Sequence, residues 1–198
     1  AAKLLAMREK HQMDIDEQVY IGDTTLSHYG LLNSPKVTAS NVANGAAGVG
    51  LWSQKTPDEI LADFNDIMQS AWKSSGYKFP PSHILLPPAQ FGFIVNQKVS
   101  NAGNIPTIEY MKKFNIFTQQ MGTDLSIQSV KWLSGVGAGG TDRMVAYTRN
   151  QQVVRFPMTA MQNTPIEYRG IYQLTTYFCR LGVVEFVYPE AMAYLDGI

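Results

Sequence analysis

A chain of 198 residues, 45% of them apolar, has material for one substantial core or two intertwined subdomains. Sixteen Lys and Arg balance sixteen Asp and Glu with no run of like charge, which excludes a protein that grips nucleic acid through bulk electrostatics. Charged residues are only 16% and aromatics reach 11%, the balance of a surface that spends much of its area against other protein.

From Ala1 to about Ile21 good helix formers dominate, and Leu4, Leu5, Met7, Ile15 and Val19 give an imperfectly amphipathic helix. Gly22, Gly30, Asn33 and Pro35 stop it. "TASNVANGAAGVG" then reads as a small, polar connector between subdomains. In "TPDEILADFNDIMQSAWKSSG", Thr56 and Glu59 form a capping box, Pro57 fits the first helical position, and Ile60, Leu61, Phe64, Ile67, Met68, Ala71 and Trp72 recur at helical spacing. Ser74, Ser75 and Gly76 end this helix. Its carboxylates Asp58, Glu59, Asp63 and Asp66 occupy the helix start and the polar face, so they are read as dipole complement and solvated surface rather than as acid–base groups.

"HILL" at 83–86 reads as a short buried strand and "PPAQFGFIVNQ" as a short helix opened by its prolines. One further helix is expected from Pro106 to about Phe117. Strand-like stretches follow in "SIQSVKWL", "RMVAYT", "QVVRFP", "IYQLTTYFCR" and "VVEFVYP", and "PEAMAYLDGI" closes the chain with one helical turn. Helices first and strands later, without βαβ alternation or an internal repeat, make the class α+β.

"SGVGAGGTD" at 134–142 carries Gly135, Gly137 and Gly140 in the G-x-G-x-x-G spacing of dinucleotide-binding loops. That motif must open a helix, whereas "TDRMVAYT" after it reads as a strand, and no G-K-[ST] follows. The expectation is a mobile, exposed hairpin loop whose glycines permit turning, with nucleotide binding the disfavoured alternative. His11, His28 and His83 are isolated in the sequence, which points to surface or locally bonded histidines, and no metal or cofactor is expected. Cys179 is the single cysteine, which rules out a disulfide framework and a thiolate cluster and implies a reducing compartment. It falls within a strand with no His near it in sequence and is read as a buried thiol packing as a small hydrophobe. Asp14, Asp16 and Glu17 form one charged stretch of the first helix, so no catalytic residue is assigned. No apolar stretch approaches the ~20 residues of a membrane span, and "AAKLLAMREKHQ" lacks the apolar core of a signal peptide. With no initiating Met and a helical first stretch, the chain is expected to begin partway through an element.

Three stretches, in order, carry a resemblance. "GLLNSPKV" after a long helix, "W…TPDEILADFNDIM" leading through "PPSHILLPPAQFGFI", and "GVVEFVYPEAMAYLDGI" resemble the major capsid proteins of tailed bacteriophages and the related encapsulin shells. The resemblance spans about residues 20–198 and implies the Hong Kong 97-type fold. It implies a P-domain of residues 1–51 and 151–180, with a spine helix and a strand ribbon, and a wedge-shaped A-domain of residues 52–150 and 181–198. Relatives carry an N-terminal arm and an extended loop ahead of the spine helix, and neither precedes Ala1 here. The implied role is non-enzymatic. Copies would associate into pentamers and hexamers of an icosahedral shell, with portal, scaffold or decoration proteins as further partners. The shell would be assembled in the bacterial cytoplasm and enclose DNA without specific binding. An encapsulin-like compartment is the alternative within the class.

Overall fold

A computed structural model describes residues 2–100 and 105–198. Its centre is a five-stranded mixed sheet in the order β1 (Thr38–Asn41), β11 (Met192–Asp196), β4 (Arg143–Tyr147), β2 (His83–Leu86) and β3 (Ser126–Ser129). The outer pairs β1–β11 and β2–β3 are parallel, and the inner pairs β11–β4 and β4–β2 are antiparallel.

Side-chain alternation along these strands feeds two cores, one on each face. Ile84, Leu86, Met144, Ala146, Ala193 and Leu195 face helix α2 (Pro57–Ser74), and they pack with its Ile60, Phe64, Ile67 and Met68. Leu85, Val145, Tyr147, Met192 and Tyr194 face the other way, onto Leu31, Leu32, Val37, Phe79, Leu133 and Val153. Both faces being covered, β4 and β11 are buried at every position.

α2 begins as its sequence dictates: Thr56 accepts from the Glu59 N–H, Glu59 accepts from the Thr56 N–H at 2.8 Å, and Pro57 stands in the first turn. Asp63 departs from expectation. It is buried rather than solvated, because Lys55, also buried, donates to both its carboxylate oxygens at 2.7 and 2.9 Å and the Trp52 indole donates at 2.9 Å. Burial pushes the Asp63 carboxyl upward against the pull of Lys55 and Trp52. The third Lys55 donor goes to the Ala43 carbonyl, so all its N–H groups are used and the 43–50 loop is pinned to α2.

Helix α3 (Pro88–Asn96) forms as expected. The single helix expected over Pro106–Phe117 divides into α4 (Thr107–Lys113) and α5 (Ile116–Met121). Asn115, fully buried, breaks it: its side-chain nitrogen donates to the Met111 and Lys112 carbonyls while its oxygen caps α5 through the Thr118 N–H. Two further expectations change. "TASN" within the expected connector forms edge strand β1, and "PEAMAYLDGI" holds one 3-10 turn at Pro189–Ala191 followed by β11, an inner strand of the sheet.

The first helix, α1 (Ala2–Tyr20), stands against this body at its C-terminal end. The "GLLN" turn makes the joint: Gly30, Leu31 and Leu32 donate backbone N–H groups to Ile21, Val19 and Tyr20, and the Asn33 side chain bridges Gly30 N–H and the Ile21 carbonyl. A Cβ on Gly30 would lie 2.3 Å from the Tyr20 carbonyl carbon, so only glycine permits this approach. The Trp132 indole donates to Asp16 at 2.8 Å, a second tie.

Residues 154–186 leave the body as one long antiparallel ribbon. β5 (Val154–Arg155) pairs with β10 (Glu185–Phe186), β6 (Gln162–Asn163) with β9 (Tyr177–Phe178), and β7 (Glu167–Arg169) with β8 (Tyr172–Leu174). A Met158–Leu181 bridge and the Thr159-to-Arg180 and Thr164-to-Thr176 backbone bonds join the pieces. Outward from the Met158–Leu181 bridge the outgoing strand takes three steps to the returning strand's two, once at 159–162 and once at 164–167, whereas between the β5–β10 pair and that bridge the returning strand takes four steps, 185 to 181, to the outgoing strand's three. Gly170 and Ile171 make the two-residue tip.

Candidate assembly surface

The glycine loop does not join neighbouring strands. β3 and β4 are separated in the sheet by β2, so residues 130–142 form a crossover connection rather than the expected hairpin. Its turning role holds: Gly135, Gly139 and Gly140 have φ of 71°, 68° and 77°. Its anion-binding role fails on geometry, because the donors a phosphate would need are already held by the protein's own carboxylates. Gly135 N–H donates to Asp142 Oδ1 at 2.9 Å, Ala138 N–H to Asp196 Oδ2 at 2.9 Å, and Gly137 N–H to the Thr141 carbonyl at 2.8 Å. No α-helix follows it to contribute a dipole, since β4 begins at Arg143. These bonds also tie the exposed loop to β4 and β11.

Asp196 belongs to a buried cluster under that loop. Arg143 grips it with Nε at 2.6 Å and a terminal nitrogen at 2.8 Å, and donates its remaining end to the Leu32 carbonyl at 2.8 Å. Arg143 also lies over the Tyr194 ring, whose hydroxyl donates to the Leu31 carbonyl at 2.6 Å and accepts from Ser34 N–H. Burial pushes the Tyr194 phenol up, keeping it a neutral donor. One strand, β11, therefore fixes both the glycine loop and the turn at the base of α1.

The other chemistry-bearing residues singled out in the sequence stand apart from one another, except for one contact. His83 Nδ1 meets Ser82 Oγ at 2.8 Å, and desolvation, with Arg149 nearby, pulls its imidazole below the ordinary value. His28 is exposed. Cys179 lies just past β9, half-buried rather than buried, with its Sγ 3.8 Å from His11 Nδ1 on α1. This contact joins residues 168 positions apart, which is why inspection of local sequence missed it. Among the described residues no three His, Cys, Asp or Glu side chains stand where they could share a metal ion. No described helix is long and apolar enough to cross a membrane.

What the chain does present is apolar surface on its projecting parts. Leu5 and Met13 are exposed on α1, and Met158, Ile166, Tyr168, Ile171, Tyr172, Leu174 and Phe178 are exposed on the ribbon. Seven large apolar side chains on one two-stranded arm exceed the scattered exposure of an ordinary monomer. A lone two-stranded ribbon is also marginal in water. Both facts mark the ribbon as a surface suited to further contacts. Sequence periodicity could not show this, because alternation in a strand marks two faces without saying whether either is covered.

No curated protein matches the chain. Among solved structures, the capsid of Myoviridae Phage XM1 superposes with a TM-score of 0.77 at 19% identity, covering 100% of this chain and 64% of that one. The virus-like particle from Pyrococcus furiosus superposes with a TM-score of 0.56 at 13% identity, over 91% of this chain and 62% of that one. The present chain thus spans a little under two thirds of the length of each. At these identities the likeness establishes the fold, the α+β capsid architecture of the Hong Kong 97 type. A model of major capsid proteins matches residues 1–198, and the chain belongs to the major capsid protein family.

Proposed function

We propose that this chain is a structural, non-enzymatic head subunit of a tailed bacteriophage or prophage, and that many copies close into an icosahedral shell that encloses DNA. The observation that carries the reading is the ribbon of residues 154–186, which exposes large apolar side chains that nothing among the described residues covers. A surface of that kind, repeated on every copy, supports association through repeated contacts into a closed assembly. The proposed P-domain is residues 1–51 with 151–180, where α1 and the ribbon meet at His11 and Cys179. The proposed A-domain is residues 52–150 with 181–198, and β1 of the first segment adds an edge to its sheet. Zero net charge suits a wall that borders packaged DNA without gripping it. Portal, scaffold and decoration proteins are the further partners of this reading, and the bacterial cytoplasm is its place of assembly.

The fold shared with the Pyrococcus furiosus particle supports a second reading, an encapsulin-like compartment. Particles pelleted from cells expressing the full-length protein separate the two. Nuclease-resistant DNA inside fits the head subunit, a packaged protein fits the compartment, and the absence of particles contradicts both.

A further inference from the structure

We infer that the groove between α1 and the ribbon binds one soft monovalent metal ion, copper(I), with Cys179 and His11 as its principal ligands and the thioethers of Met7 and Met161 as the donors beside them. The inference is independent of the shell reading.

Two elements supply the donors from opposite sides of the groove. On α1, Met7 and His11 stand four residues apart and so share one face of the helix. On the ribbon, the Thr159-to-Arg180 bond and the Gln162–Phe178 pair leave residues 160 and 161 together opposite Cys179, which sets Met161 across the ladder from the thiol. All four side chains line one groove of about 410 Å³. Burial singles out the same residues. Met161 is half-buried although residues 158–160 and 162–163 around it are exposed, and Met7, His11 and Cys179 are half-buried as well.

The separation of the two principal donors fits a shared ion. A thiolate and an imidazole lie about 2.3 Å and about 2.0 Å from a zinc-sized ion, so an Sγ to Nδ1 distance of 3.8 Å corresponds to a sulfur–metal–nitrogen angle of about 120°. That is the angle of a trigonal centre, which one thioether completes while the second stands as a weak further ligand. The set holds one Cys and one His, so thioethers rather than further thiolates or imidazoles fill it, and thiolate with thioether selects copper(I) among the first-row ions. The carboxylate on the groove, Asp14, is already bonded to Lys10, which removes the oxygen donor that a hard cation would need. On binding, the Cys179 thiol proton passes to solvent as the sulfur–copper bond forms, and copper stays in its +1 state.

The test loads the reduced full-length protein with copper(I) in competition with bicinchoninate, a chromophoric copper(I) chelator, and counts the copper that the chain retains. One copper(I) per chain is expected, with X-ray absorption showing sulfur and nitrogen neighbours. Cys179→Ser should weaken retention at least tenfold, and His11→Ala and the pair Met7→Leu/Met161→Leu at least threefold each, with circular dichroism unchanged. Met13→Leu removes an exposed thioether elsewhere on α1 and should bind as the unsubstituted chain does. Failure to retain copper(I) against the chelator overturns the inference. A loss in Cys179→Ser with His11→Ala and the methionine pair unchanged overturns it too, since a thiol acting alone is then the whole site.

Discussion

Replacing Arg143 by Met isolates one buried charge at the junction of the sheet, the glycine loop and the base of α1. In the native protein Asp196 is 2% exposed and receives two Arg143 donors and the Ala138 N–H. Arg143→Met leaves that carboxylate with one backbone donor and strips the Leu32 carbonyl of its partner. Breaking a buried pair from one side costs roughly 3–5 kcal/mol, and the orphaned carbonyl adds about 1 kcal/mol. The loss should therefore be about 4–6 kcal/mol, a large share of the ~5–15 kcal/mol that holds a typical domain folded. The double variant Arg143→Met/Asp196→Leu removes both charges and should recover part of the loss, retaining a deficit of about 2–4 kcal/mol from the unsatisfied Ala138 N–H and the Leu32 carbonyl. Urea unfolding followed by circular dichroism, run as a double-mutant cycle, measures both quantities. A single-variant loss below about 1 kcal/mol, or a double variant as unstable as the sum of the singles, would refute the argument that this pair fastens the loop and the α1 turn to β11.

The other predictions concern the glycine loop and the α2 cap. Calorimetry with NAD, ATP and GTP should show no saturable binding, because the loop N–H groups are engaged by Asp142, Asp196 and Thr141; micromolar binding abolished by Gly137→Ala would contradict this. Glu59 accepts backbone N–H groups from Thr56 and Ala46, which hold its carboxyl below the ordinary value of 4.5. Its contribution to stability is therefore complete above about pH 4.5 and is lost as pH falls through the lowered value of the folded state. Glu59→Gln should flatten that part of the stability–pH curve, and an unchanged curve would remove the cap from the account.

Much of this fold is written locally. The α2 cap, the HILL strand and the α3 prolines each state their structure within a few residues, and "GLLN" encodes a turn that only Gly30 and Asn33 can make. What the local pattern hides is burial imposed from elsewhere. β11 lacks a period of two because both its faces are covered, so "MAYLD" resembles a continuation of the preceding 3-10 turn. Asp63 stands three residues after Ile60 and four before Ile67, on the flank of the apolar stripe of α2, and only the approach of Lys55 and Trp52 from the preceding segment makes its burial tolerable. The split between α4 and α5 depends on an asparagine whose side-chain bonds are found only when the chain is folded. The placement of β2 between β3 and β4 is a matter of topology, which no feature of the glycine loop could reveal. The exposed ribbon face was the least legible feature. Alternation along a strand marks two faces without saying which of them the rest of the protein covers.

Electron cryomicroscopy of the full-length protein tests the central claim most directly. The account predicts closed icosahedral particles in which the exposed apolar side chains of the ribbon are covered by other copies, while α1 of the same chain stays against Cys179. A protein that remains monomeric, or particles in which the ribbon borders open solvent, would contradict it.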